Sequence, residues 1–283
     1  MSPRNFLAPL LALTMLASTG FCGTLVQFRT TVGDFEIELL DRDKPITVQN
    51  FLRYVTNGLY ADCFFHRGVN NFIIQGGGFR VGNRSNLTNF TVNAIPSFPP
   101  ITNEFKVGPF YSNVYGTIAM AKTSDPNSAT SQFFINLANN SSSLDNTNNS
   151  GGFTVFGRVA GGTNVLNQLN VAHPTAAILL INAGGAFAEL PVVKTFTGPS
   201  IESSELVYLD VSVLAVRIKL VAGGAREISW NSVSNRVNHV EYTTNFPPVW
   251  ESLVATNGNG SQLRVSDNSD ASPARFYRVR VAN

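Results

Sequence analysis

Charge is scarce in this chain. Of its 283 residues only 13% are Asp, Glu, Lys or Arg, and 20 basic against 18 acidic residues leave a net charge of +2. About a quarter is usual for soluble proteins. The balance supplies no electrostatic footprint for nucleic acid or for an acidic membrane surface. Histidine and cysteine are scarcer still, limited to His66, His173, His239, Cys22 and Cys63. Neither a zinc cluster nor a disulfide framework can be built from that stock at a recognisable spacing, so no metal or other cofactor is expected. Paired carboxylates, a nucleophile beside a base and a phosphate-binding glycine loop are missing too. Beyond the N-terminus no apolar run reaches the ~20 residues of a membrane helix.

What is abundant is Asn, Ser, Thr and Gly, which carry the polarity, and a hydrophobic content of 43%, enough for a real core. The length suits one large or two ordinary domains. Residues 1–22 read as a secretory signal peptide: Arg4 supplies the positive region and Phe6 to Ala17 the apolar one, with Ser18 and Gly20 as the small residues before a cut after Gly20. A lipoprotein signal using Cys22 is the alternative, disfavoured by bulky Phe21. An extracytoplasmic location, periplasmic or secreted, is expected. Cys63 reads as a small buried hydrophobe on a strand; a disulfide to Cys22 is the alternative.

From Thr24 the pattern is mostly two-fold. Val26, Phe28 and Thr30 alternate with Leu25, Gln27 and Arg29, Thr31 to Asp34 turn the chain, and Phe35, Ile37 and Leu39 alternate with Glu36 and Glu38. Pro45 then suits a helix start, Val48, Phe51, Leu52 and Val55 make one apolar stripe, and Asn57-Gly58 stops it. Residues 81–100 read as a loop. Its Asn-x-Ser/Thr triplets at Asn83, Asn86 and Asn89 read as an Asn-rich surface rather than glycosylation acceptors.

Between helix and loop lies the most telling stretch, Cys63-Phe64-Phe65-His66-Arg67-Gly68-Val69-Asn70-Asn71-Phe72-Ile73-Ile74-Gln75-Gly76-Gly77-Gly78-Phe79. Two apolar runs flank a turn at Gly68 to Asn71, so Arg67 should end one strand and Gln75 the next, reaching one cleft. Further on come Gly116 to Ala121, Ser131 to Ile135, Leu144-Asp145 and Val155 to Val159, then a short helix over Asn164 to Leu169. The F-H-R and F-I-I-Q-G-G-G-F pattern, followed in order by G-x-x-x-M-A, S-Q-F-F-I, L-D and V-F-G-x-V, resembles the cyclophilins, a family of peptidyl-prolyl cis-trans isomerases. The match covers roughly residues 24–182.

The resemblance implies a mainly β fold, a closed antiparallel eight-stranded barrel capped by two helices, and an isomerase acting noncovalently on X-Pro bonds. It gives Arg67 and Gln75 the catalytic positions, with Gln75 helping to place the arginine. It assigns substrate contact to Phe72, Ile73, Ala121, Lys122, Gln132, Phe134 and Leu144. His66, one residue before Arg67, reads as structural on the opposite strand face. Buried Phe is ordinarily core, so for Phe72 and Phe134 pocket and core read as one surface. Proline-containing peptides and unfolded exported proteins are the expected partners of a monomer. A noncatalytic peptide-binding module at the cell surface is the alternative; intact Arg67, Phe72, Gln75 and Phe134 favour the enzyme.

Departures from the family pattern fall on the rim. Ser143 stands where many members carry Trp, Phe153 where His or Tyr is common, and Asn146 to Ser150 is an insertion. Weak cyclosporin binding is therefore expected. Residues 183–216 read as a connector whose strand, Leu206 to Val216, either closes the barrel or bridges outward. Residues 217–283 read as a small β-sandwich with Trp230 and Trp250 as core anchors, resembling modules that end many secreted bacterial proteins.

Overall fold

A computed structural model describes residues 23–214, 216–221, 223–232, 237–245, 248–259, 261–269 and 274–282. The signal peptide, its cleavage after Gly20 and the fate of Cys22 lie outside the described residues.

The opening hairpin forms as its alternation dictates. Strands β1 (Leu25–Thr30) and β2 (Gly33–Leu39) pair with Phe28 opposite Phe35, and the two rings stack at 5.0 Å. Helix α1 (Pro45–Thr56) buries Val48, Phe51, Tyr54 and Val55. Its N-cap is Lys44, which has no acceptor to offer, so the cap comes from afar. The Glu104 carboxylate accepts from the N–H groups of Ile46 (3.1 Å) and Thr47 (2.7 Å) and from the Thr47 hydroxyl. Buried Lys44 donates its ammonium to the backbone oxygens of Glu104 and Val107.

Next come β3 (Cys63–Phe64), β4 (Arg67–Val69), β5 (Ile73–Gly76), β6 (Phe79–Gly82), β7 (Thr91–Ala94), β8 (Thr117–Met120) and β9 (Phe133–Asn136). A turn of helix α2 (Ser141–Leu144), β10 (Val155–Gly161), helix α3 (Thr163–Gln168), β11 (Ile178–Ile181), β12 (Leu190–Val193) and β13 (Tyr208–Val213) follow. All but β11 and β12 form one antiparallel sheet in the order β4-β5-β9-β8-β10-β2-β1-β13-β3-β6-β7. It curls around a single core holding Phe28, Phe51, Phe133, Phe156 and Leu209, to which α3 adds Val165 and Leu166.

The sheet has eleven strands rather than the expected eight, for a local reason. Segment 63–69 bends between β3, which pairs with β13 and β6, and β4, which pairs with β5. At the bend Phe65 N–H donates to Val207 O and His66 N–H to Gln75 O. A second bend at Gly77-Gly78 separates β5 from β6. Gly77 has φ +77°, and a Cβ there would lie 2.5 Å from Ser131 O, so the glycine is required.

Three sequence expectations are corrected. Arg67 does not end the first strand but begins β4 after the bend at Phe65-His66, and the turn narrows to Asn70-Asn71, with Asn71 in the left-handed region. The 81–100 loop contains β7, whose four exposed residues pair only with β6 at the sheet edge and so leave no apolar pattern. The Gly/Pro-punctuated connector holds β12, which pairs back onto β11 just before it, and this hairpin is built on its own core of Leu190, Val192, Leu206, Phe64, Val81 and Tyr208. Strand β13, within the expected Leu206 to Val216 strand, lies between β1 and β3.

The C-terminal region forms two three-stranded antiparallel sheets. β14 (Val216–Leu220), β15 (Arg226–Asn231) and β18 (Gln262–Asp267) make one; β16 (Val237–Thr243), β17 (Glu251–Asn257) and β19 (Phe276–Ala282) make the other. Ile228 and Trp230 of the first and Val240 of the second share one apolar cluster. Trp230 is the buried anchor, and its indole N–H donates to Asn238. Trp250 is not in that cluster; it is half-buried, with the Arg278 guanidinium 4.2 Å over its ring.

Candidate active site

The site lies on the outer face of the sheet, opposite the core. In strands β4, β5, β9 and β8, Arg67 is registered against Gln75, Gln75 against Phe134, and Phe134 against Ala119. Alternate residues of the same strands point inward: Ile74, Phe133, Ile135, Ile118 and Met120 belong to the main core. Ile73, Phe134, Ala119 and Leu144 form a separate small cluster, joined by Phe72, Val69, Ala121 and Phe153. Pocket and core are therefore two faces of one sheet rather than one surface. This explains why Phe133-Phe134-Ile135-Asn136 lacks polar alternation: both faces are covered.

Arg67, Gln75, Phe72, Ile73, Ala121, Lys122, Phe134 and Leu144 line one cleft of about 260 Å³, together with Ser143, Asn149 and Phe153 of the rim. Gln132 stands one step away. With Gln75, Ala121 and Lys122 it lines an adjoining depression of about 210 Å³. A larger concavity of about 490 Å³ is lined half by charged residues, Glu38, Asp41, Arg42, Asp43 and Arg158, and holds none of the expected site residues.

Polar groups around the cleft are few and mostly tied. Arg67 Nε donates to Glu189 Oε2 at 2.8 Å. The Gln75 amide donates to Gln132 Oε1 at 2.7 Å. Lys122 donates to Ser150 O, and its ammonium stands 4.1 Å from the Phe153 ring centroid. Burial lowers its pKa to about 8, opposed by Asp125. Phe153 in turn packs edge-on against Phe134 at 5.7 Å.

His66 is buried behind the arginine, edge-on to Phe79, and its Nδ1 has no partner. Burial lowers its pKa to about 4, which keeps it neutral at physiological pH. Burial raises the Cys63 thiol to about 12, so that thiol is inert. Among the described residues no group of three His, Cys, Asp or Glu is arranged to hold a metal ion.

Two features escaped the sequence reading. Glu189 lay in the supposed connector; the apolar run Leu190-Pro191-Val192-Val193 beside it was the signal of a strand. The second is an asparagine network beneath the cleft wall. Buried Asn140 donates to Phe72 O and to Asn136 Oδ1, both at 2.7 Å, and Asn136 donates to Asn113 Oδ1. Asn113 donates to Asp145 and to Phe153 O. The network thereby ties the backbone at Phe72 and Phe153 to the Asp145 carboxylate. In so Asn-rich a chain, composition gives no sign that these three are buried.

The curled antiparallel sheet thus carries on its outer face a small cleft, largely apolar and lined by a single arginine, Arg67. The sequence model of the family described as cyclophilin type peptidyl-prolyl cis-trans isomerase/CLD matches residues 25–182, and the chain belongs to that family. A peptidyl-prolyl cis-trans isomerase of Acinetobacter baylyi is 39% identical over 155 residues, covering 55% of this chain and 76% of the relative. Peptidyl-prolyl cis-trans isomerase A of Dickeya dadantii is 38% identical over 174 residues, covering 60% and 85%. Peptidyl-prolyl cis-trans isomerase B of Escherichia coli K12 is 40% identical over 151 residues, covering 51% and 83%. Among solved structures, a Cryptosporidium parvum cyclophilin type isomerase, crystallised in the presence of the dipeptide Ala-Pro, is 23% identical. It aligns over 68% of this chain and 99% of its own with a TM-score of 0.45.

Proposed function

We propose that this isomerase accelerates X-Pro rotation in exported proteins, with Arg67 as its electrostatic element. The observation that carries the reading is the row Arg67–Gln75–Phe134 across β4, β5 and β9, which sets one permanent cation beside an apolar floor. Rotation breaks no bond; its barrier, about 18–20 kcal/mol for a peptide bond, is lost amide resonance. In the twisted state the prolyl nitrogen regains a lone pair. A donor aimed at that nitrogen stabilises the twisted amide more than the planar one. Guanidinium suits the task because it keeps its charge and presents a rigid fork of donors. Phe72, Ile73, Phe134 and Leu144 grip the proline ring, and Gln75 and Gln132 contact the peptide backbone. Uncatalysed rotation takes tens of seconds. Reaching milliseconds requires about four decades, or about 5–6 kcal/mol.

We read the curled sheet as a barrel closed across the bent segment 63–69, and residues 217–283 as an appended β-sandwich. The N-terminal signal supports export; N-terminal sequencing of protein from the extracytoplasmic fraction should begin after Gly20. A protease-coupled isomerisation assay tests the chemistry. The wild type should be fast and Arg67→Ala slow; equal rates would overturn the role of Arg67.

A further inference from the structure

Arg67 serves the proposed isomerase only if its guanidinium is already aimed when the peptide arrives. It sits on β4, the last strand of the sheet order, and β5 flanks only one side. On the other side lies the hairpin β11–β12. Gly68 N–H donates to Glu189 O at 2.8 Å, so the backbone of Glu189 is fastened beside Arg67. The approach is close: a Cβ on Gly68 would come within 2.8 Å of Leu180 Cδ2 and 3.2 Å of Pro191 Cγ. Leu190 and Val192 anchor the hairpin in its own core, with Phe187 against Phe79 at 4.9 Å and Phe79 against His66 at 5.1 Å.

The Arg67 and Glu189 side chains are 41% and 43% exposed. So open a pair adds little to stability. It does not hold the hairpin; the hairpin holds it. Glu189 takes only the Nε–H, and neither terminal nitrogen donates to another group among the described residues. Glu189 does not line the cleft that Arg67 lines. A carboxylate on Nε restrains the last torsions of the arginine while leaving its far edge free for substrate.

We propose that Glu189, which precedes β12 and lies beyond the family-matched residues, is a positioning residue for Arg67, delivered by the β11–β12 hairpin, and that it pre-aims the guanidinium at the cleft. This rests on Arg67 being the electrostatic element. The contribution is preorganisation: rotamers are lost on folding instead of in the transition state. It therefore appears in kcat, because the apolar grip on proline that sets KM does not involve Glu189.

The test compares wild type, Glu189→Ala, Glu189→Gln and Arg67→Ala with a proline tetrapeptide, alongside the NMR signal of the Arg67 side-chain Nε–H. Glu189→Ala should lower kcat roughly tenfold with KM changed less than about twofold, the scale expected of lost orientation. Its Nε–H signal should move to the position of a free arginine while the melting temperature holds. Glu189→Gln retains an acceptor oxygen and should recover most of the rate. Wild-type kcat in Glu189→Ala, an unmoved Nε–H signal, or a rate lost only in step with melting temperature would overturn the proposal. If Arg67→Ala itself keeps the rate, the functional reading fails first; if only the Glu189 variants are silent, the positioning role fails alone.

Discussion

Gln75 lies directly opposite Arg67 in the β4–β5 pair, yet its amide N–H donates to Gln132 and its carbonyl oxygen does not accept from the guanidinium. The arginine's side-chain partner is instead Glu189. Two residues the sequence places together as a functional pair thus share a cleft without sharing a hydrogen bond.

Unequal costs are expected at these two positions. Arg67→Ala should lower kcat/KM by roughly a hundredfold, the usual cost of removing one transition-state donor. Arg67→Lys should not restore it, because a point charge lacks the planar fork. Gln75→Ala should cost less, roughly tenfold at most, because the charged donor remains. The protease-coupled assay measures all three.

Cyclosporin should bind weakly. Ser143 lines the cleft, where it offers neither the area nor the N–H donor of an indole. Ser143→Trp should tighten binding by at least about tenfold, read by calorimetry or by inhibition of the isomerase. Nanomolar inhibition of the unmodified protein would contradict this.

His66 makes stability depend on pH. Folded, it takes up a proton only near about 4, against 6.5 ordinarily, because burial disfavours the cation. Between those values the unfolded chain holds more protons than the folded one. Stability therefore falls as pH drops from about 6.5 towards 4, by about 3 kcal/mol at most. Urea midpoints at several pH values should show the fall, and His66→Gln should flatten that part of the profile.

Glu104 should matter for stability out of proportion to its distance from the site. It caps α1 through two backbone N–H groups and a hydroxyl. Glu104→Ala leaves the buried N–H and hydroxyl of Thr47 without an acceptor and should cost about 2–4 kcal/mol, visible as a lower melting temperature. Glu104→Gln keeps an acceptor and should cost less.

Much of the fold was legible because its signals are local. The alternation of Phe35, Ile37 and Leu39, the stripe on α1 and the glycines at 76–78 each specify conformation within a few residues. The ordered motifs around Arg67, Gln132 and Leu144 identified the family and most of the residues that line the cleft. Strand β7 was invisible because an edge strand with both faces wet has no apolar period.

The hydrophobic pattern by itself determined local elements such as the β1–β2 hairpin and helix α1, because burial imposes a period that the residues must obey; the barrel-like fold and the cleft were implied only by the ordered motifs and the family they resemble. Which face of β9 is pocket and which is core was decided only in three dimensions, since Phe133 and Phe134 are chemically identical and differ only in the direction they point. The same holds for the immediate surroundings of Arg67. Glu189 lies 122 residues away along the chain, and no local rule links them. The hairpin's second core and one backbone hydrogen bond to Gly68 bring the carboxylate to the guanidinium.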